Sequence, residues 1–266
     1  MVDKKRIVVK VGTSTLTNEL GNPNLREFDK LSLVLSDVHN MGYDIILVSS
    51  GAIAVGASDL HLKEKPTELR YKQACAAVGQ CSNMFYYDKF FGEYGQQVAQ
   101  ILFNSEDVEN ELKKENLTNT INTLLEMGII PIVNENDSVS YTEIDSEDHL
   151  FSDNDKLSAV IAILCNAGKL VIFSDIDGFF DKDPRLYADA KLIDRIDDIT
   201  EDTFNLAGGA GSRRGTGGMQ TKLEAAQLAT AQGISVIVTN GAHPDTLYKI
   251  VEGRKAGTLF KGKKVF

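Results

Sequence analysis

Apolar and polar positions along this chain follow two rhythms. Short β-branched runs are almost unbroken: "RIVVKV" (6–11), "DIILVSS" (44–50), "IIPIVN" (129–134), "LVIFSD" (170–175) and "ISVIVTN" (234–240). Strands buried on both faces of a parallel sheet read this way. Between them apolar residues recur at helical spacing. "LREFDKLSLVLSDVHNMG" stops at Gly42, "NLTNTINTLLEMG" sets Leu117, Ile121, Leu124 and Leu125 on one face and stops at Gly128, and "NDKLSAVIAILCNAG" stops at Gly168. Each glycine is read as the C′ residue closing a helix just before the next strand. Strand, helix and glycine in repetition predict an α/β fold with a mostly parallel sheet.

Composition narrows the function. The chain has 266 residues, 42% hydrophobic and 25% charged, with a net charge of −10. That is an ordinary globular balance with room for a large core, and its acidity argues against a nonspecific nucleic-acid surface. Cys75, Cys81 and Cys165 are odd in number and lack paired CxxC spacing, and the four histidines show no metal-ligand spacing. Reduced thiols are expected. The basic start "MVDKKRIVVKVG" has too short an apolar run for a signal peptide, and no segment approaches the ~20 apolar residues of a membrane span. A cytoplasmic protein without a membrane partner is expected.

Polar clusters follow the strands, where open α/β sheets bind ligands. They are Lys10, Gly12, Thr13 and Ser14 in "KVGTST", Ser49, Ser50 and Gly51 in "SSGAIAVG", Asp137 at the end of "NENDS", and Ser174 and Asp175 in "SDIDG". Any one alone is an ordinary turn; their concentration on one sheet edge suggests a site. Lys10 interrupts an apolar run. It either snorkels from a solvated side or points at an anion beside the amides that Gly12 exposes.

"GTGGMQTKLEAA" (215–226) reads as a glycine-rich loop and then a helix from Met219 to about Gln232, with Lys222 at its entrance. Unpaired amides and the positive end of the helix dipole beside Lys222 suit a phosphate. Arg213 and Arg214 precede it. "SDNDKLSA" puts Asp153, Asn154 and Asp155 at another helix start, as a cap or as an acidic group near the lysines. "GTLFKGKK" (257–264) is a chance P-loop match, since Lys264 replaces Ser/Thr, and GxGxxG is absent. The least regular stretches, 138–153 and 207–218, have the composition of binding loops.

In this order, "VVKVGTSTLT", "LVSSGAIAVG", "AAVGQ", "PIVNENDSV", "DNDKLSA", "DGFFDKDPR", "GTGGMQTKLEAA" and "GTLF" resemble the glutamate 5-kinases of the amino acid kinase family across essentially the whole chain. The resemblance implies a single αβα-sandwich domain over 1–266, with the amino-acid site toward its N-terminal half and the ATP site toward its C-terminal half. It implies that Lys10 and Lys222 contact the ATP phosphates and that Asp155 organises both lysines. Ser50, Asp137 and Asn154 would hold L-glutamate, helped by Gly51 and Ala52. Ser174, Asp175, Thr216, Gly217, Gly218, Met219, Gln220 and Thr221 would line the nucleotide, as would Gly12 and Ser14 after the first strand. ATP and Mg²⁺ are the implied cofactors, glutamyl 5-phosphate for proline synthesis the product, proline a feedback inhibitor, and a homo-oligomer (dimer or tetramer) the assembly. Many bacterial members carry a C-terminal PUA domain; the form expected here lacks it. Residues 141–153 are longer and more acidic than the family pattern, and Ser49 and Gln220 vary at positions expected to carry no chemistry.

The chemistry agrees. A γ-carboxylate is ionised at neutral pH, with a pKa near 4.3, so it needs no general base. Catalysis then rests on positioning and charge neutralisation. One lysine at ~4 Å contributes at most about 4 kcal/mol of Coulomb energy at an effective dielectric of 20. A nucleoside-phosphate acceptor would call for arginines, and Arg70 is the only one between 50 and 170. Aspartate or N-acetylglutamate as acceptor, and a non-catalytic sensing module on the same fold, remain alternatives.

Overall fold

The computed structural model describes residues 2–18, 21–64, 66–139, 154–207 and 218–263. Its strands are β1 (Asp3–Val11), β2 (Asp44–Val48), β3 (Val98–Phe103), β4 (Ile130–Glu135), β5 (Ala167–Ser174), β6 (Arg195–Ile196), β7 (Ser235–Asn240) and β8 (Thr258–Phe260). Its helices are α1 (Thr13–Leu16), α2 (Leu25–Asn40), α3 (Ala52–Asp59), α4 (Leu69–Glu93), α5 (Ser105–Glu109), α6 (Glu111–Glu126), α7 (Asn154–Leu164), α8 (Glu201–Ala207), α9 (Met219–Ala231) and α10 (Thr246–Val251). All strands join one sheet in the order β3-β4-β2-β1-β5-β7-β8-β6. Pairing is parallel from β3 through β7, and β8 returns antiparallel to β7.

Alternation along β1 divides the core into two layers. Ile7, Val9 and Val11 pack into one apolar cluster with Phe28, Leu35, Tyr87 and Leu247 of α2, α4 and α10. Val8 enters the opposite cluster with Leu157, Ile161, Leu223 and Ala226 of α7 and α9. Helices therefore cover both faces, and the expected αβα sandwich is observed. Lys10 shares the parity of Val8, so the same alternation turns it toward the α7 and α9 layer. Among the described residues no helix is long and apolar enough to cross a membrane.

Two of the three expected glycine stops hold. Gly42 and Gly128 have φ of 85° and 72° just beyond α2 and α6. The third does not. After α7 it is Asn166, φ 50°, that takes the left-handed turn, a conformation Asn tolerates. Gly168 lies inside β5, where a Cβ would stand 2.5 Å from the Asp3 carbonyl oxygen. Close strand approach, and not helix termination, requires glycine there.

Candidate active site

Because β1, β2, β4, β5 and β7 run parallel, their carboxyl ends share one edge. Lys10 pairs in register with Val48 of β2 and Ile172 of β5, so its side chain leaves the sheet between the Ser49–Ser50 turn and Ser174. Opposite stand the first turns of α7 and α9, which pack together.

Three charged residues meet there. Asp155 is fully buried; its Oδ1 lies 2.7 Å from Lys10 Nζ and its Oδ2 3.1 Å from Lys222 Nζ. The Thr221 hydroxyl lies 3.0 Å from the same Oδ2. Burial alone would push the Asp155 carboxyl up, but the ammonium groups of Lys10 and Lys222 overcome it and hold the carboxyl below its ordinary range. Lysine is costly to bury without charge compensation. Among the described residues both ammonium groups pair with the Asp155 carboxylate, so these three side chains together bring one more positive than negative charge to the sheet edge. That is a place for a polyanion.

The surroundings fit a phosphate chain. Gly12 lies two residues after Lys10, and a Cβ there would lie 3.6 Å from Lys10 Nζ and 3.9 Å from Ser14 Oγ. Gly218 is the N-cap of α9, so first-turn amides and the dipole end lie beside Lys222. The Met219 side chain packs on the core and the Gln220 amide lies 3.3 Å from Glu224; toward a nucleotide both would offer backbone. Thr216 and Gly217, with Arg213, Arg214 and the rest of 208–217, lie outside the described residues, as do 140–153 with Asp153. Ser174 is buried at the end of β5 and its hydroxyl lies 3.2 Å from Asp175, which is exposed and ion-paired with Arg185.

The expected acceptor residues cluster beside the triad. The Asn154 amide donates to the Ser50 hydroxyl at 2.7 Å, one residue before Asp155. Gly51, φ 92°, caps α3 and presents Ala52 as its first residue. Ala52 and Asp137 line a cleft of about 400 Å³ with Gln80, Gln100 and Glu135. Burial pushes the Asp137 carboxyl up to about 6. Burial and the nearby Asp137 push Glu135 up to about 7. Glu135 was not singled out in the sequence; it lies inside "NENDS", two residues before Asp137.

The fold and the lysine–aspartate bridge are what a phosphotransferase requires, and the comparisons give that class and its family. Residues 5–240 match the model of the amino acid kinase family, to which this chain belongs. Within that family it is 55% identical over 262 residues to the glutamate 5-kinase of Clostridium perfringens, covering 98% of this chain and 97% of that protein. It is 49% identical to the glutamate 5-kinase of Enterococcus faecalis over 258 residues, 96% of this chain and 94% of that one. Among solved structures, isopentenyl phosphate kinase of T. acidophilum superposes with a TM-score of 0.66 at 17% identity, covering 96% of this chain and all of that one. UMP kinase from Bacillus anthracis gives 0.65 at 16% identity, covering 98% and 97%. At such identities the two structures speak for the fold alone.

Proposed function

We propose that this protein is an ATP-dependent glutamate 5-kinase, phosphorylating the γ-carboxylate of L-glutamate to glutamyl 5-phosphate at the entry to proline biosynthesis. The observation that carries the reading is the Lys10–Asp155–Lys222 bridge standing next to the Ser50–Asn154 pair. It supports a donor site and an acceptor site meeting at the first turn of α7. The identity to curated glutamate 5-kinases supports the choice of acceptor.

In this mechanism the ionised γ-carboxylate attacks the terminal phosphorus of ATP as the bond to the ADP oxygen breaks. Lys10 and Lys222 neutralise charge on the transferring group, and Asp155 keeps both ammonium groups aimed at it. Ser50 and Asn154 orient the glutamate, while Asp137 and Glu135 face its α-ammonium. Among the described residues no three His, Cys, Asp or Glu side chains gather as a metal site. Mg²⁺ bound with ATP would be held chiefly by phosphates and water, as this ion prefers, and would supply further charge neutralisation.

The reading includes one domain with the amino-acid site in its N-terminal half and the nucleotide site in its C-terminal half. It also includes a cytoplasmic homo-oligomer, dimer or tetramer, inhibited by proline; sedimentation velocity and a proline titration check those two points. The central test is ADP release with Mg²⁺ and glutamate, aspartate, N-acetylglutamate or UMP, trapping acyl phosphate with hydroxylamine. Hydroxamate with glutamate alone is expected. Turnover with another acceptor only, or with none, would overturn the reading.

A further inference from the structure

α4 runs behind the proposed acceptor site and faces it with polar groups. Gln80, Asn83 and Tyr87 stand at i, i+3 and i+7, one face of the helix. Each reaches a different part of the sheet edge. Gln80 Oε1 accepts from the Asn134 amide at 3.0 Å. The Asn83 amide points at the Ser50 carbonyl at 3.5 Å. Tyr87 OH lies 2.8 Å from Ser49 Oγ, and Ser49 Oγ lies 3.4 Å from the Ser50 carbonyl.

Proton bookkeeping orders this chain. Burial, only partly opposed by the Ser49 bond, pushes the Tyr87 phenol far above its usual range, so its proton stays on. Ser49 Oγ donates its one proton to the Ser50 carbonyl, so Tyr87 OH is the donor to Ser49. That carbonyl is approached from two sides by long contacts, from the Ser49 hydroxyl at 3.4 Å and the Asn83 amide at 3.5 Å, which orient the peptide carrying the Ser50 hydroxyl. The helix itself is pinned at the same spot: a Cβ on Gly79 would lie 1.9 Å from the Ala52 carbonyl oxygen, in the first turn of α3.

Packing alone does not call for so polar a helix face. Ser49, Asn83, Tyr87 and Asn134 are all buried, and the Oδ1 atoms of both asparagines have no hydrogen-bond partner among the described residues. Apolar residues of similar size would serve a packing role without unsatisfied acceptors.

We infer that Tyr87 and Asn83 are positioning residues for the acceptor, holding the Ser49–Ser50 turn so that Ser50 and Asn154 present a preformed cradle. The inference rests on the proposed acceptor site. Its effect falls on the acceptor and leaves the nucleotide untouched, because the chain ends at Ser50 and not at the lysines.

Steady-state kinetics of Tyr87→Phe, Ser49→Ala and the double variant test it, with thermal melting alongside. KM for glutamate should rise about fivefold in either single variant, the scale of one lost hydrogen bond, with KM for ATP unchanged. The double variant should match a single one, because both remove the same link. An unchanged KM for glutamate in folded Ser49→Ala, or equal rises for glutamate and ATP, would overturn the inference even if Tyr87→Phe proved unstable. Wild-type protein that does not phosphorylate glutamate would instead remove the functional reading, and this inference with it.

Discussion

The Asn154 amide meets the Ser50 hydroxyl at 2.7 Å, and the next residue, Asp155, meets Lys10 at 2.7 Å and Lys222 at 3.1 Å. One helical turn thus joins the two halves of the proposed reaction. A small rotation of α7 would disturb acceptor and donor together, which ties phosphoryl transfer to the seating of this helix.

Lys222→Ala and Lys10→Ala are each expected to lower kcat by roughly 10²–10³-fold, as for loss of one preorganised transition-state donor. ADP release at saturating ATP and glutamate measures it. Near-normal kcat in both variants would remove the lysines from the chemistry.

Asp155→Asn leaves two buried ammonium groups without their carboxylate, so unfolding free energy should fall by about 3–5 kcal/mol. Urea titration measures the loss. In the wild type this carboxyl is held below its ordinary value. Its contribution is therefore complete above about pH 4 and disappears as pH drops through the folded-state pKa. The stability gap between wild type and variant should stay constant from pH 7 to about pH 4 and narrow below it.

Glu135 and Asp137 shift the other way, to about 7 and about 6. The folded state keeps their protons where the unfolded chain has released them. Their contribution to stability should fall as pH rises from about 4 toward 7, and Glu135→Gln should flatten that slope in melts across pH 5–8. Affinity for the α-ammonium should move oppositely, with KM for glutamate falling as the pair ionises. A KM independent of pH over this range would separate the pair from the substrate.

α3 and α4 touch backbone to backbone at two glycines. A Cβ on Gly56 would stand 1.8 Å from the Cys75 carbonyl oxygen, an overlap that only helix movement can relieve. Gly56→Ala should cost about 1–3 kcal/mol and raise KM for glutamate, since the shift is transmitted to Gly51 and Ala52. Melting temperature and KM, measured together, check both parts; an unaltered pair of values would show that the helices have room.

The sheet and the polar edge formed by its strand ends were legible because their signals are local. Five strand runs, the helix starting at Met219 and the stops at Gly42 and Gly128 all rest on neighbouring residues. Gly168 misled because its need for glycine comes from Asp3, in another strand. α4 escaped notice because its buried face mixes Asn83 and Tyr87 with apolar residues while Val78 and Phe85 are exposed. Ser49, expected to carry no chemistry, enters the proposed positioning chain only through its contact with Tyr87.

By itself the sequence determined the class of fold, the sheet edge where the polar clusters gather, and the family, through motifs in a fixed order along the chain. The resemblance already grouped Lys10 and Lys222 around Asp155 and Ser50 with Asn154; what tertiary structure added is that Asp155 bridges both lysines directly and that the Asn154 amide meets the Ser50 hydroxyl. Period-two alternation turned Lys10 toward α7 and α9, but which helices waited there followed from strand order and crossover. Those are set by burying two apolar faces of one sheet at once, a condition that no local stretch of sequence records.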